Sequence, residues 1–160
     1  MVTLDAHGIR ARLPRGFEGR IFRRRTIADE VPRPVAHFAT VPLPPDTSDF
    51  GGGLVTTLQS TDVFVVLFEY GPESVGKALF ATEGMPRRLE TGHFRPYTLR
   101  RGLGGQSGSQ WFFTENGRPF TLYAVLGSHA RRHSLIAPVN SLLHHLEVAP
   151  AEPGRSAVHR

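Results

Sequence analysis

Residues 110–126 read QWFFTENGRPFTLYAVL, two β-prone runs that flank the dipeptide Asn116-Gly117. Both central residues of a two-residue type I′ turn need positive φ, and Asn-Gly adopts that turn readily. The flanking runs, Gln110 to Glu115 and Arg118 to Leu126, are rich in the aromatic and β-branched residues that favour strands. The stretch therefore predicts a β-hairpin and, with it, an antiparallel sheet.

Further strand signals precede this hairpin. Asp62 to Tyr70 contains the uninterrupted apolar run VFVVLF, which predicts a central strand covered on both faces. Gly8 to Leu13 and Phe17 to Arg23 alternate in polarity on either side of the turn Pro14-Arg15-Gly16, which predicts an opening hairpin. The remaining strand candidates are Val35 to Val41 and Tyr97 to Arg100.

Two helices are expected, in addition to a helical turn at Leu54 to Leu58. Ser74 to Phe80 follows a proline and a glutamate that suit a first helical turn. The second has an apolar stripe at spacings of three and four residues, formed by Leu135, Ile136, Val139, Leu142, Leu143 and Leu146. The predicted class is α+β, a twisted antiparallel sheet of about six strands with helices packed on it, including a long C-terminal helix that begins in the mid-130s. Residues 1–148 are predicted to form one domain, and residues 149–160 a flexible tail.

The composition is that of one globular domain. The chain has 160 residues, of which 39% are hydrophobic and 21% charged. It contains no cysteine, which excludes disulfides and thiolate metal sites. Six consecutive apolar residues are too few to cross a bilayer, which needs about 20 in a helix. With no secretory signal at the N-terminus, we expect a cytoplasmic protein that is not inserted in a membrane.

The net charge of +5 raises the possibility of nucleic-acid binding. All of the 19 basic residues except Lys77 are arginine, and they are spread along the chain singly and in short runs such as Arg23-Arg24-Arg25. A solvated surface is the favoured interpretation of scattered charges, because salt screens them. Weak nucleic-acid binding through the arginine clusters is kept as an alternative.

One motif has the spacing of a phosphate-binding loop. Gly71 to Ala78 matches GxxxxGK[ST] except that Ala78 stands where a hydroxyl would hold magnesium. A simple turn between elements is therefore favoured. We find no complete catalytic or metal-binding set in the sequence, and we predict a protein that is not an enzyme and uses no cofactor or metal. A small-molecule binder or enzyme with a glycine-rich lid at residues 102–108, acting with His37, remains an alternative.

Aromatic residues supply the candidate partner-binding site. Trp111 and Phe113 alternate onto one face of their strand, and Phe112 takes the other. If one face meets a helix, the other presents an aromatic patch next to the irregular loop Pro42 to Gly53. A core covered on both faces is the competing interpretation. The candidate partner-binding residues are Trp111, Phe113, Phe50 and Leu54.

Both ends of the chain resemble the PsbP-like superfamily of small α+β proteins. Gly8 to Phe17 resembles its opening hairpin, and Phe120 to Gly127 followed by Leu135 to Val148 resembles its closing strand and helix. The resemblance implies a sheet carrying helices and an accessory, adaptor or chaperone-like role. We therefore expect a non-catalytic cytoplasmic protein-binding module with a protein partner and a possible homodimeric state.

Overall fold

A computed structural model of the chain describes residues 1–24, 31–45, 53–96 and 104–151. These residues form eight strands rather than about six. The strands are β1 (Val2–Ala6), β2 (Ile9–Leu13), β3 (Glu18–Arg24), β4 (Arg33–Ala39), β5 (Val63–Glu69), β6 (Ser107–Glu115), β7 (Arg118–Leu126) and β8 (Leu146–Val148). They are divided between two antiparallel sheets, so the predicted α+β class is confirmed while the single sheet is not.

The larger sheet has five strands in the order β3-β4-β5-β7-β6. β5 is buried along its whole length and pairs antiparallel with β4 and β7, which confirms the predicted central strand. β6 and β7 pair from Ser107↔Leu126 to Glu115↔Arg118. Asn116 and Gly117 close this hairpin with φ of 50° and 76°, as the Asn-Gly dipeptide predicts.

The smaller sheet has the order β1-β2-β8 and corrects the predicted opening hairpin. β2 pairs with β1, from Val2↔Leu13 to Ala6↔Ile9, and not with β3. The physical reason is the turn at His7 and Gly8, whose positive φ values of 54° and 75° reverse the chain in two residues. The later turn at residues 14–16 carries the chain into the larger sheet instead.

The C-terminal helix is shorter than predicted. α1 (Leu54–Thr57) is a single turn, and α2 (Arg132–His144) is followed at once by β8 rather than extending to Val148. β8 forms because Leu146 and Val148 alternate in burial with an exposed Glu147, the period of a strand. The predicted helix at 74–80 is replaced by two 3₁₀ turns, Pro72–Ser74 and Ala78–Phe80, separated by Gly76 with a φ of 89°.

Apolar side chains cover both faces of the larger sheet. One face packs against α2, β2 and β8, and the other packs against α1. The five buried apolar side chains of α2 contribute about 7–15 kcal/mol before conformational entropy is counted. The predicted strand at 97–100 and residues 152–160 of the predicted tail lie outside the described residues.

Candidate functional site

The outer edge of β6 is bridged by other parts of the chain near both of its ends. At one end Gly108 and Arg95 exchange two backbone hydrogen bonds of 3.0 Å. At the other end the Thr114 amide donates to the Thr82 carbonyl at 2.9 Å, and the Gly84 amide donates to the Thr114 carbonyl at 2.8 Å. The chain itself therefore covers two points of this edge.

Two residues between the bridges leave their backbone edge open. Successive residues of an antiparallel strand turn their N–H and C=O groups to opposite sides. Because Gly108 and Thr114 face outward, Gln110 and Phe112 do so too. In the described part of the chain, no hydrogen bond reaches the outward N–H or C=O of either residue. We call this part of the edge, Gln110–Phe112, the β6 window.

Phe112 belongs to an aromatic cluster, formed with Tyr70 and Phe80, on one side of the β6 window. The centroid of its ring lies 5.8 Å from that of Phe80 and 6.3 Å from that of Tyr70. The Phe80 carbonyl accepts a hydrogen bond of 2.8 Å from the Thr114 hydroxyl, which fixes the cluster to β6. Phe80 is buried, whereas Tyr70 and Phe112 stay partly exposed. The cluster therefore offers apolar surface beside the window.

Trp111 lies on the opposite face of β6 and is partly exposed. Its indole N–H donates to the Ser109 hydroxyl at 2.7 Å, and its ring is nearly perpendicular to that of His93, with centroids 4.9 Å apart. His93 is itself held in place, because its Nδ1 accepts a hydrogen bond of 2.9 Å from the Glu90 amide. These contacts fix the orientation of the indole next to the window.

The candidate partner-binding residues do not form one exposed patch. Phe113 is fully buried and stacks on Phe120 at 5.9 Å, and Leu54 is only 3% exposed in the core under α1. Trp111 and Phe113 do share one face, as the alternation predicts, but that face is covered by the main core. Phe50 lies outside the described residues. Of the three described candidates, Trp111 is the one that borders the β6 window, and its role in binding stays a prediction.

Gln110 and Phe112 were not singled out from the sequence. Their side chains carry no motif, and the property that distinguishes them is an unpaired backbone. Whether a strand lies at the edge of a sheet depends on how distant segments pair, which a local pattern does not encode.

Arg118 forms a buried polar centre that the sequence analysis also missed. Its Nε and Nη2 donate to the Glu69 carboxylate at 2.9 and 2.8 Å. Nη2 also donates to the carbonyl of His7 at 3.0 Å, and Nη1 donates to those of Gly8 and Ala149 at 3.2 and 3.1 Å. All five N–H groups of the guanidinium are thus used. We call Arg118 and its four partners the Arg118 clamp.

The Arg118 clamp joins the two sheets. Glu69 and Arg118 belong to the larger sheet, whereas His7 and Gly8 form the turn of the smaller one. The charged side chains are almost completely buried, and the carboxylate and the three carbonyls together satisfy every donor, as burial of a charge requires. Next to this centre, partial burial of the ring and, to a lesser extent, the charge of Arg23 lower the pKa of His7 below its ordinary value.

Among the residues that it describes, the structure does not arrange the alternative candidate sites as binding or catalytic sites. His37 is 3% exposed and lies between the rings of Phe22 and Phe64, at 5.0 and 5.5 Å. Gly71 to Ala78 follows a strand with antiparallel neighbours and does not open a regular helix, so the geometry of a phosphate-binding loop is not formed. Of the predicted lid, residues 102 and 103 lie outside the described residues, and Ser107 already belongs to β6.

Several arginines make contacts with other parts of the protein. Arg87 donates to the carbonyls of Leu143 and Leu146, at the end of α2 and the start of β8. The guanidinium of Arg24 lies 4.2 Å from the centroid of the Phe68 ring. In addition, Arg118 and Arg87 lie 2.8 and 3.4 Å from the carboxylates of Glu69 and Glu115, which offset part of the positive charge that suggested a polyanion partner.

Comparisons with protein-family models, curated proteins and solved structures found no match to this chain. The resemblance to the PsbP-like superfamily therefore stays a prediction. Among the residues that the structure describes, no helix is long and apolar enough to span a membrane. The same residues contain no group of three or more His, Cys, Asp or Glu side chains placed to hold a metal ion.

Proposed function

We propose that the protein is a non-catalytic protein-binding module that takes up an extended segment of its partner as an additional strand on β6. The observation that supports this proposal is the pair of open backbone positions, Gln110 and Phe112, between two bridged ends of an edge strand. Edge strands expose donors and acceptors at two-residue spacing, and an extended peptide matches this spacing. We keep the cytoplasm as the proposed location, as expected from the sequence.

The window provides both hydrogen bonds and apolar contacts. Two residues offer one donor and one acceptor each, and the hydrogen bonds they form contribute about 0.5–1.5 kcal/mol apiece. Phe112 and Trp111 add partly exposed aromatic surface on either side of the added strand. Because association itself costs several kcal/mol, this small site favours a weak, reversible complex over a permanent one.

A direct experiment is to pan a random peptide library displayed on phage against the wild type and two variants. Gln110→Pro removes the outward amide that a new strand needs, and it leaves the hydrogen bonds to β7 intact because they use other residues. Gln110→Thr changes the side chain and keeps the amide. We expect the wild type and Gln110→Thr to enrich peptides and Gln110→Pro to enrich none.

Amide hydrogen exchange on the wild type tests the same site independently of the folding of any variant. Addition of an enriched synthetic peptide should slow exchange at the Gln110 and Phe112 amides more than at the Trp111 amide, which already faces β7. Equal enrichment on Gln110→Pro, or protection confined to other strands, would contradict the proposal. Thermal melts of both variants serve as the folding control.

A further inference from the structure

The β6 window is short, and its flanks restrict what can occupy it. The position that a neighbouring strand would take beside Gly108 is filled by Arg95, and the position beside Thr114 is filled by Thr82 and Gly84. An added strand can therefore run alongside β6 only over Gln110–Phe112. On both sides of this stretch the segment must leave the plane of the sheet.

A second copy of this chain does not fit the window through its own β6. Pairing of two β6 strands about a twofold axis at Trp111 would place Thr114 of one copy beside Gly108 of the other, where Arg95 lies. The same bridges that shorten the window thus protect the edge from self-association. The occupant has to be a short extended segment whose flanking residues turn away.

The side chains around the window indicate the apolar position of that segment. Residues directly opposite each other on paired strands project to the same face of the sheet. A residue opposite Phe112 therefore meets the aromatic cluster, where an apolar side chain buries surface against Tyr70 and Phe112. A residue opposite Gln110 lies beside an exposed polar side chain and needs no apolar character.

Charge distinguishes the two ends of the window. Exposed Glu83 pairs with the Thr114 end of β6, and the Glu115 carboxylate lies on the same part of the chain. Glu115 accepts a hydrogen bond of 2.7 Å from the Met85 amide and lies 3.4 Å from Arg87. Because Arg87 already offsets the charge of Glu115, the exposed carboxylate of Glu83 supplies the negative charge at this end that is complementary to a basic side chain.

We propose that the β6 window binds a short extended segment of a partner protein with an apolar side chain opposite Phe112 and a basic side chain toward the Thr114 end. This inference rests on the proposed function, because it requires strand addition on β6. It goes further by specifying the length, the apolar position and the charge of the bound segment.

Substitutions in an enriched synthetic peptide test the apolar position without disturbing the fold of the protein. Paramagnetic labels at either peptide terminus first establish the direction of the bound strand, and hence which residue lies opposite Phe112. Alanine at that residue should weaken binding about tenfold or more, as expected for the loss of a buried apolar side chain. Alanine opposite Gln110 should change the dissociation constant by less than about threefold.

Glu83→Gln tests the basic position, with Glu147→Gln on the smaller sheet as a control of equal charge. Glu83→Gln should weaken binding of a peptide with a basic residue about two- to fivefold at low salt, the range of an exposed ion pair, and Glu147→Gln should not. If peptides bind through the Gln110 amide but show neither preference, the inference fails while the proposed function stands. If no peptide depends on that amide, both fail. Self-association that Gln110→Pro abolishes would instead identify a second copy as the occupant.

Discussion

The hydrogen-bonding groups of the Arg118 clamp are buried and paired within the protein, whereas the outward backbone groups of the β6 window are exposed and have no partner among the described residues. Arg118 is buried and uses all of its five donors on a carboxylate and three carbonyls. The window exposes Gln110 and Phe112 with outward backbone groups that no described residue binds. A buried polar group without partners would cost stability, whereas an exposed one is hydrated and remains available. The comparison indicates a structural role for the clamp and supports the proposal that the window takes part in recognition.

The largest effect is expected from breaking the Arg118 clamp. Arg118→Met leaves the Glu69 carboxylate buried without its partner and removes the donors to three carbonyls. We expect the free energy of unfolding to fall by about 3–5 kcal/mol in urea titrations. The double variant Glu69→Met/Arg118→Met should lose less than the single one, because it leaves no buried charge. A loss below about 1 kcal/mol for Arg118→Met would show that the clamp does not stabilise the fold as a buried ion pair should.

A smaller effect is expected at Gly8, which approaches the guanidinium closely. A Cβ at Gly8 would lie 2.5 Å from Nη1 of Arg118, and the backbone there has a φ of 75°. Gly16 has a similar φ of 91° but no heavy atom within 4 Å of such a Cβ. Gly16→Ala should therefore cost about 1 kcal/mol of backbone strain. Gly8→Ala should cost about 1–3 kcal/mol more, because it also displaces Arg118. Equal losses for the two variants would show that the close approach has no energetic consequence.

Local patterns were sufficient for the parts of the fold whose partners are near in sequence. The Asn116-Gly117 hairpin and the buried strand β5 were predicted because turn geometry and an apolar run are local properties. The opening hairpin was wrong, since β2 and β3 both have the period of strands and the pattern does not state which strand β2 joins. Likewise Leu146 fits the helical stripe as well as a strand, and pairing with β2 selected the strand.

The sequence analysis chose one residue that borders the proposed site, and it did so for a limited reason. Trp111 was chosen for its residue type, and it borders the window. Phe113 and Leu54 were chosen on the same grounds but belong to the core, because residue type does not determine which face of a sheet is covered. The open backbone of Gln110 and Phe112 arises from tertiary pairing across β6, β7 and the bridging segments, and no side chain encodes it.

The smallest effect on stability is expected from the titration of His7. It distinguishes the contribution of the imidazole ring from that of the backbone carbonyl. The His7 carbonyl accepts a hydrogen bond from Arg118, whereas the ring is exposed at the turn between β1 and β2. The pKa of the ring is lowered by its partial burial and then by Arg23, so the folded protein binds this proton less readily than the unfolded chain does. As the pH falls below about 6.5, the unfolded chain takes up the proton first, and the free energy of unfolding therefore decreases.

His7→Asn removes this titration and keeps the backbone, since asparagine tolerates the φ of 54° at this turn. Urea unfolding of the wild type and His7→Asn should give a constant difference in stability at pH values above about 6.5. Below that pH the wild type should lose more stability than the variant, over the interval between the unfolded and folded pKa values. A difference that stays constant through this interval would show that the ring is as well hydrated in the folded protein as in the unfolded chain. The carbonyl held by Arg118 would then be the whole contribution of His7 to the junction of the two sheets.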